Sequence, residues 1–242
     1  MIETTCRLSI AGRSLYLQSM ARIINLETAS TNCSVSLYEG NRLLALREDP
    51  SLVYTHGELL HVFMEEVLRE AGLQASDLDA VAVSKGPGSY TGLRIGVAAA
   101  KGLCFALDLP LIAVPTLKSM AYQVQIESGV LIPMLDARRM EVYAAVFDVH
   151  RKEVAPAWAE IITEDSFARW AASGLVHLLG NGAEKCRGLL THPNFRFHTE
   201  IQPSARELGL MAAERYEKGQ IEDLAYFEPF YLKDFIVTKK KG

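Results

Sequence analysis

Alternation and helical spacing divide the chain into two runs of similar build. Residues 22–27 (RIINLE) form a short apolar run and 33–38 alternate, so both read as strands. Glu39, Gly40 and Asn41 make a turn and 42–47 return as a third strand, so three antiparallel strands precede any helix. Over 56–71 the apolar residues Leu60, Phe63, Met64, Val67 and Ala71 recur at helical spacing, and Gly72 suits the carboxyl cap. Leu59 and Val62 widen that stripe beyond what one sheet needs. A strand over 80–84, a helix ending at Leu107, a strand over 111–114 and a helix over 115–127 complete a βββαβαβα order.

Near Ser128 and Gly129 the pattern restarts. Strands are expected over 130–136, 141–148 and 154–162, a helix over 164–172 and a strand over 176–179. A short helix over 183–190, an extended piece over 195–197 and an amphipathic helix over 204–218 follow. The expected fold class is α/β, with two lobes, each a mixed sheet of three antiparallel strands plus parallel crossovers and flanking helices. Residues 20–128 make the amino-terminal lobe and 129–242 the carboxyl-terminal lobe. Residues 1–19, interrupted by Arg7 and Arg13, read as an extension or appendage and a poor secretory signal. The lysines at 239–241 read as a solvated end.

One helix stands apart. The turn Gly86-Pro87-Gly88-Ser89 leads to Thr91, read as the cap, and from Gly92 to Leu107 only Arg94 and Lys101 are charged. A helix apolar nearly all round must be covered on more than one side. Small residues at Gly92, Gly96, Ala99 and Ala100 let something approach closely, either a neighbouring helix or a bound phosphate. The turn has neither Walker nor G-x-G-x-x-G spacing.

Composition adds exclusions. With 242 residues, 49% apolar and 22% charged, the chain can build a full core. A net charge of −4 argues against a broad nucleic-acid footprint by this chain alone. Cys6, Cys33, Cys104 and Cys186 are scattered, which fits free thiols in a reducing cytosol better than a disulfide scaffold or zinc site. No run is of membrane-spanning length. His56 and His61 fall on different helix faces, Ser89 lacks evident histidine and acid partners, and Cys104 sits in apolar surroundings.

Together, NLETAS, THGELLHVFMEEVL, SKGPGSYTGLRIGVAAAKGLCFALDLPLIAVPTLKSMA and EPFYLKDF resemble the TsaB (YeaZ) family. That resemblance implies a duplicated actin-like ATPase fold, shared with sugar kinases and actin. It also implies a part in forming N6-threonylcarbamoyladenosine at position 37 of ANN-decoding tRNAs, in the cytoplasm. The role implied is that of a non-catalytic subunit: a homodimer when alone, a partner of a TsaD-like catalytic subunit joined by a TsaE-like ATPase, reaching tRNA only through the complex. The catalytic relative carries a His-x-x-x-His metal pair where this chain has Thr116 and Met120, so no metal and no cofactor are expected.

The expected partner interface comprises Leu60, Phe63, Met64 and Val67 with Gly92, Arg94, Gly96, Val97 and Ala100. On this reading Gly96→Arg abolishes pairing and leaves the lobe folded. The residues expected nearest any nucleotide are Glu27, Thr28, Ser30, Gly86, Gly88 and Ser89. In the second half Gly180-Asn181-Gly182 is placed to border a cleft, and Asp136, Arg138 and Arg139 to sit at a strand end. Two rival readings stand beside the scaffold: a nucleotide-dependent or glycoprotease-like (peptidase-like) enzyme of the same superfamily, and a direct tRNA-binding module.

Overall fold

The computed structural model describes residues 20–49, 51 and 53–233, so the expectations for 1–19 and for the lysines at 239–241 fall outside the described residues. Strands β1 (Arg22–Glu27), β2 (Cys33–Glu39) and β3 (Arg42–Asp49) form the antiparallel meander. Parallel to β1 lies β4 (Ala80–Gly86), and beside that β5 (Leu111–Pro115), giving the order β3-β2-β1-β4-β5. The crossovers are α1 (His56–Ala71) and α2 (Tyr90–Leu107), and the short α3 (Thr116–Tyr122) follows β5 and leads into the second sheet.

The second sheet contains β6 (Val130–Asp136), β7 (Glu141–Phe147), β8 (Glu153–Ile161), β9 (Val176–Leu179) and β10 (Phe195–His198), in the order β10-β9-β6-β7-β8. Read from the far strand of each meander, both sheets run third, second, first, fourth, fifth. The fold is thus the duplicated actin-like arrangement that the resemblance implied. Its remaining helices are α4 (Ala168–Ala171), α5 (Asn181–Cys186) and α6 (Ala205–Glu217).

Successive strand residues serve opposite faces. Ile24, Leu26, Val81 and Val83 face α1 and α2. Ile23, Ala80, Ala82, Ile112 and Val114 face Leu208, Met211 and Ala212 of α6. The helix that ends the second half therefore covers the first sheet. Conversely, α3 buries Leu117, Met120 and Ala121 against Leu131, Leu135, Phe147 and Leu179 of the second. The boundary at 128 and 129 separates the strands of the two sheets but not their helices.

Four helices differ from the sequence reading by more than one residue. Ser89, not Thr91, caps α2, because its Oγ accepts the Gly92 N–H. Helix α3 stops at Tyr122, since Val124 and Ile126 leave it to pack on the second sheet. Helix α4 shrinks to four residues because Phe167 adopts a left-handed conformation, φ 62°, just before it. Helix α5 starts earlier, at Asn181, and ends at Cys186.

Residues 222–233 return over the first lobe as a strap. Glu222 N–H donates to the Leu111 carbonyl at the edge of β5, and Phe230 N–H to that of Lys85. Lys101 Nζ holds the carbonyls of Ala225 and Phe227, at 3.2 and 3.0 Å.

Close approach of α6 to β2 depends on Gly209, where a Cβ would overlap the ring of Tyr38. That ring is buried and its hydroxyl donates to the Arg206 carbonyl, so it has little freedom to yield. Gly209→Ala gains about 1 kcal/mol in helix propensity and loses about 1–3 kcal/mol to overpacking. The expected result is a lowered melting temperature despite the better helix former, read by circular dichroism.

Candidate functional site

A cleft of about 430 Å³ lies between the lobes. One wall is the β1–β2 turn and the amino end of α2, contributing Ala29, Ser30, Gly88 and Ser89; the other is the end of β6, its turn and the start of α5, contributing Asp136, Arg138 and Asn181. The strap supplies Phe230 to Lys233.

The first wall is built by close packing. Ser89 N–H donates to the Ala29 carbonyl at 2.7 Å, and Cβ atoms at Gly88, Gly92 and Gly96 would overlap Ala29, the Thr28 carbonyl and Thr28 Oγ1 respectively. The glycines of α2 thus admit the chain's own hairpin turn. His56, buried at the start of α1, lies with Nε2 2.7 Å from the Ser30 carbonyl, to which it donates. Burial holds its imidazole below the ordinary value, hence neutral at pH 7.

Beneath this wall lies Glu27, fully buried. Oε1 accepts from the Ala29 N–H and from Ser84 Oγ, each at 2.7 Å, while among the described residues Oε2 has no hydrogen-bonding partner. Burial pushes the carboxyl up to about 7. Thr28 Oγ1 is likewise buried without a partner among the described residues.

The second wall carries backbone strain. Arg138 and Arg139 occupy the β6–β7 turn at φ 69° and 50°, a conformation that normally selects Asn and Gly. Asp136 Oδ1 accepts the Arg138 N–H at 2.7 Å, and Asn181 Oδ1 accepts the Asp136 N–H at 3.0 Å. Lys185 pairs with Asp136 and Lys233 with Glu141. Across the mouth, the rings of Tyr231 and Tyr90 lie 5.0 Å apart.

Of the six residues expected near a nucleotide, Ser30, Gly88 and Ser89 line the cleft. Glu27 and Thr28 are sealed below it, and Gly86 abuts Phe230, whose carbonyl oxygen would be 2.8 Å from a Cβ there. Asn181, Asp136 and Arg138 do reach the cleft; the strap and Tyr54 were not anticipated. The aromatic run Phe230-Tyr231 beyond the last helix was the available signal for the strap. Cys104 is buried and its thiol pushed up to about 11, so it stays protonated at neutral pH.

The expected interface needs correction. Leu60, Met64, Val67, Val97 and Ala100 are consumed by the chain's own core, and Gly92 and Gly96 lie against the β1–β2 turn. They are not surplus surface, because sheet, turn and strap together cover more of α2 than one sheet would. Phe63 is half-buried and Arg94 exposed, donating to Tyr90 Oη at 2.9 Å. The outward face of the pair is Leu59, Val62, Ile95, Ala98, Gly102 and Phe105, with Val62 46% and Phe105 84% exposed. At Thr116 and Met120, the positions compared with a metal pair, both side chains are buried. Thr116 Oγ1 accepts the Gly86 N–H, and Met120 packs beside Gly180.

Glu27 yields a pH prediction. Its folded value of about 7 exceeds the ordinary 4.5, so its stabilising contribution is full below 4.5 and declines as pH rises through 7. Glu27→Gln mimics the protonated group. Relative to wild type it should gain stability between these values, reaching about 3 kcal/mol at pH 8. Urea unfolding at pH 4.5, 6 and 8 checks this; a difference independent of pH contradicts it.

A family model described as TsaD, tRNA N6-adenosine threonylcarbamoyltransferase, matches residues 50–240. The tRNA threonylcarbamoyladenosine biosynthesis protein TsaB of Haemophilus influenzae is 35% identical over 238 residues, covering 90% of this chain and 96% of that protein. TsaB of Escherichia coli is 29% identical over 231 residues, covering 90% and 97%. Among solved structures, YeaZ from Pseudomonas aeruginosa superposes with a TM-score of 0.75 at 27% identity, covering 88% of this chain and all of that one. With this identity sustained over nearly its whole length, the chain belongs to the TsaB family.

Proposed function

We propose that this chain is a non-catalytic subunit whose product is a binding surface for a TsaD-like catalytic partner, with a TsaE-like ATPase joining the pair. As a TsaB family member it takes part in tRNA threonylcarbamoyladenosine biosynthesis. The observation carrying the reading is the outward face of α1 and α2, where Val62 and Phe105 stand exposed beside small residues. Ala98 and Gly102 let a partner helix come close, and among the described residues nothing beyond the helix's own adjacent backbone lies within 4 Å of where a Gly102 Cβ would sit. In the absence of that partner the same face pairs two copies of the chain. The buried, packed Thr116 and Met120 support the non-catalytic half of the reading. The net charge of −4 favours tRNA contact through the complex. Among the described residues no helix is long and apolar enough to cross a membrane. The compartment that fits is the cytoplasm, where tRNA is modified.

Co-purification with the TsaD-like protein of the same organism tests this. Gly102→Arg should leave the circular dichroism spectrum unchanged and weaken the complex at least tenfold, about 1.4 kcal/mol. Gly96→Arg should instead lower the melting temperature or yield insoluble protein, because its side chain has no room beside Thr28. A Gly102→Arg complex of wild-type affinity would refute the assignment of this face. Threonylcarbamoylation of tRNA by the partner should fall when this chain is omitted.

A further inference from the structure

Another cavity, of about 490 Å³, opens on the second lobe where β8 runs towards α4, and shares no residue with the cleft. Its volume lies in the roughly 300–1,000 Å³ range of small-ligand sites. Both tryptophans of the chain, Trp158 and Trp170, line it, with Phe167, Glu160, Asp165 and Ser166.

The aromatic side is firmly held. Trp158 and Phe167 meet edge to face, ring centroids 6.2 Å apart at 60°. Phe167 is 6% exposed and left-handed at φ 62°, uncommon for so bulky a residue. The carboxylate beside them is equally fixed. One Glu160 oxygen accepts from Trp158 Nε1–H at 2.8 Å and the other from Ser166 Oγ at 3.0 Å. Ser166 is itself buried, and its Oγ accepts the Thr163 N–H at 3.0 Å. Each carboxylate oxygen keeps a further lone pair. The wall also displays the chemistry it favours, since the Arg169 guanidinium lies 4.7 Å over the Trp170 ring centroid. Glu160 and Asp165 outnumber that one cation, which turns anions away.

We propose that this cavity binds a guanidinium group, the side chain of an arginine presented free or on a partner polypeptide. The planar cation stacks on an indole face and donates to Glu160, two contacts that strengthen each other where water is partly excluded. A purely apolar ligand would leave the fixed carboxylate desolvated, and an anion would face two like charges.

Because both tryptophans line the cavity, the intrinsic emission of the full chain reports occupancy. The probes are N-acetyl-arginine amide, a short peptide with one arginine, and N-acetyl-citrulline amide as the neutral isostere. Saturable change with both arginine probes, at least tenfold weaker with citrulline and in Glu160→Gln, is the expected result. Equal affinity for the two arginine probes supports a free ligand; peptide binding at least tenfold tighter supports a polypeptide partner. Should Glu160→Gln fail to fold, Asp165→Asn, at an exposed position, carries the same comparison. No saturable change, an equal response to citrulline, or an unaltered response in the folded variant overturns the proposal.

Discussion

The docking of α6 against the first sheet is the constraint on which the rest of the molecule depends. It is held as much by polar groups as by Leu208, Met211 and Ala212. Ser34 Oγ accepts the Ala205 N–H at 2.9 Å, and Ser36 Oγ donates to the Ala205 carbonyl at 2.7 Å. Asn32 Nδ2 donates to the Pro203 carbonyl at 2.9 Å, and Tyr38 Oη to that of Arg206 at 2.8 Å. Such bonds contribute about 1 kcal/mol each when made, but leaving a buried partner unsatisfied costs about 1–3 kcal/mol. The first sheet is therefore incomplete until the second half of the chain has been laid down. With α3 fixed to the second sheet, the separation of the two cleft walls follows from these two exchanged helices.

This explains which parts of the fold were legible in the sequence. Strand alternation and the meander turns are local, and every strand expected from them is present. The duplicated order of elements was equally visible. The helix exchange was not, because an amphipathic stripe records how much surface a helix buries and not which sheet it buries against. Ser34 and Ser36 are the polar positions of the alternating run 33–38, yet both are fully buried, satisfied by the start of α6 some 170 residues away in sequence. Polarity alone cannot distinguish a side chain that meets water from one that meets the end of a helix.

The same limit governs the candidate interface. Counting apolar positions on α1 and α2 overstated what remains for a partner, since the count assumed that only a sheet lies beneath them. Leu224 and Phe227 of the strap pack on that core too, and no periodicity marks them because the strap is neither helix nor strand. Gly92 and Gly96 were correctly read as sites of close approach. The approaching group is the β1–β2 turn of the same chain, and the smooth outward face shifts by part of a turn, to Ala98 and Gly102.

What the cleft offers follows from how its polar groups are already engaged. The amino end of α2 uses Ser89 N–H on Ala29 and Gly92 N–H on Ser89, so donors that would favour an anion serve the turn instead. Glu27 beneath them acquires charge as pH rises through about 7, which opposes an anion at that end. On the other wall Lys185 and Lys233 are paired with Asp136 and Glu141. An anion that takes the Ser89 or Gly92 N–H, Lys185 or Lys233 must displace an internal contact to do so. The outward face of α1 and α2 carries no comparable cost, because Val62 and Phe105 gain by leaving water and surrender little in return. On the function proposed above, association through this face draws on that gain.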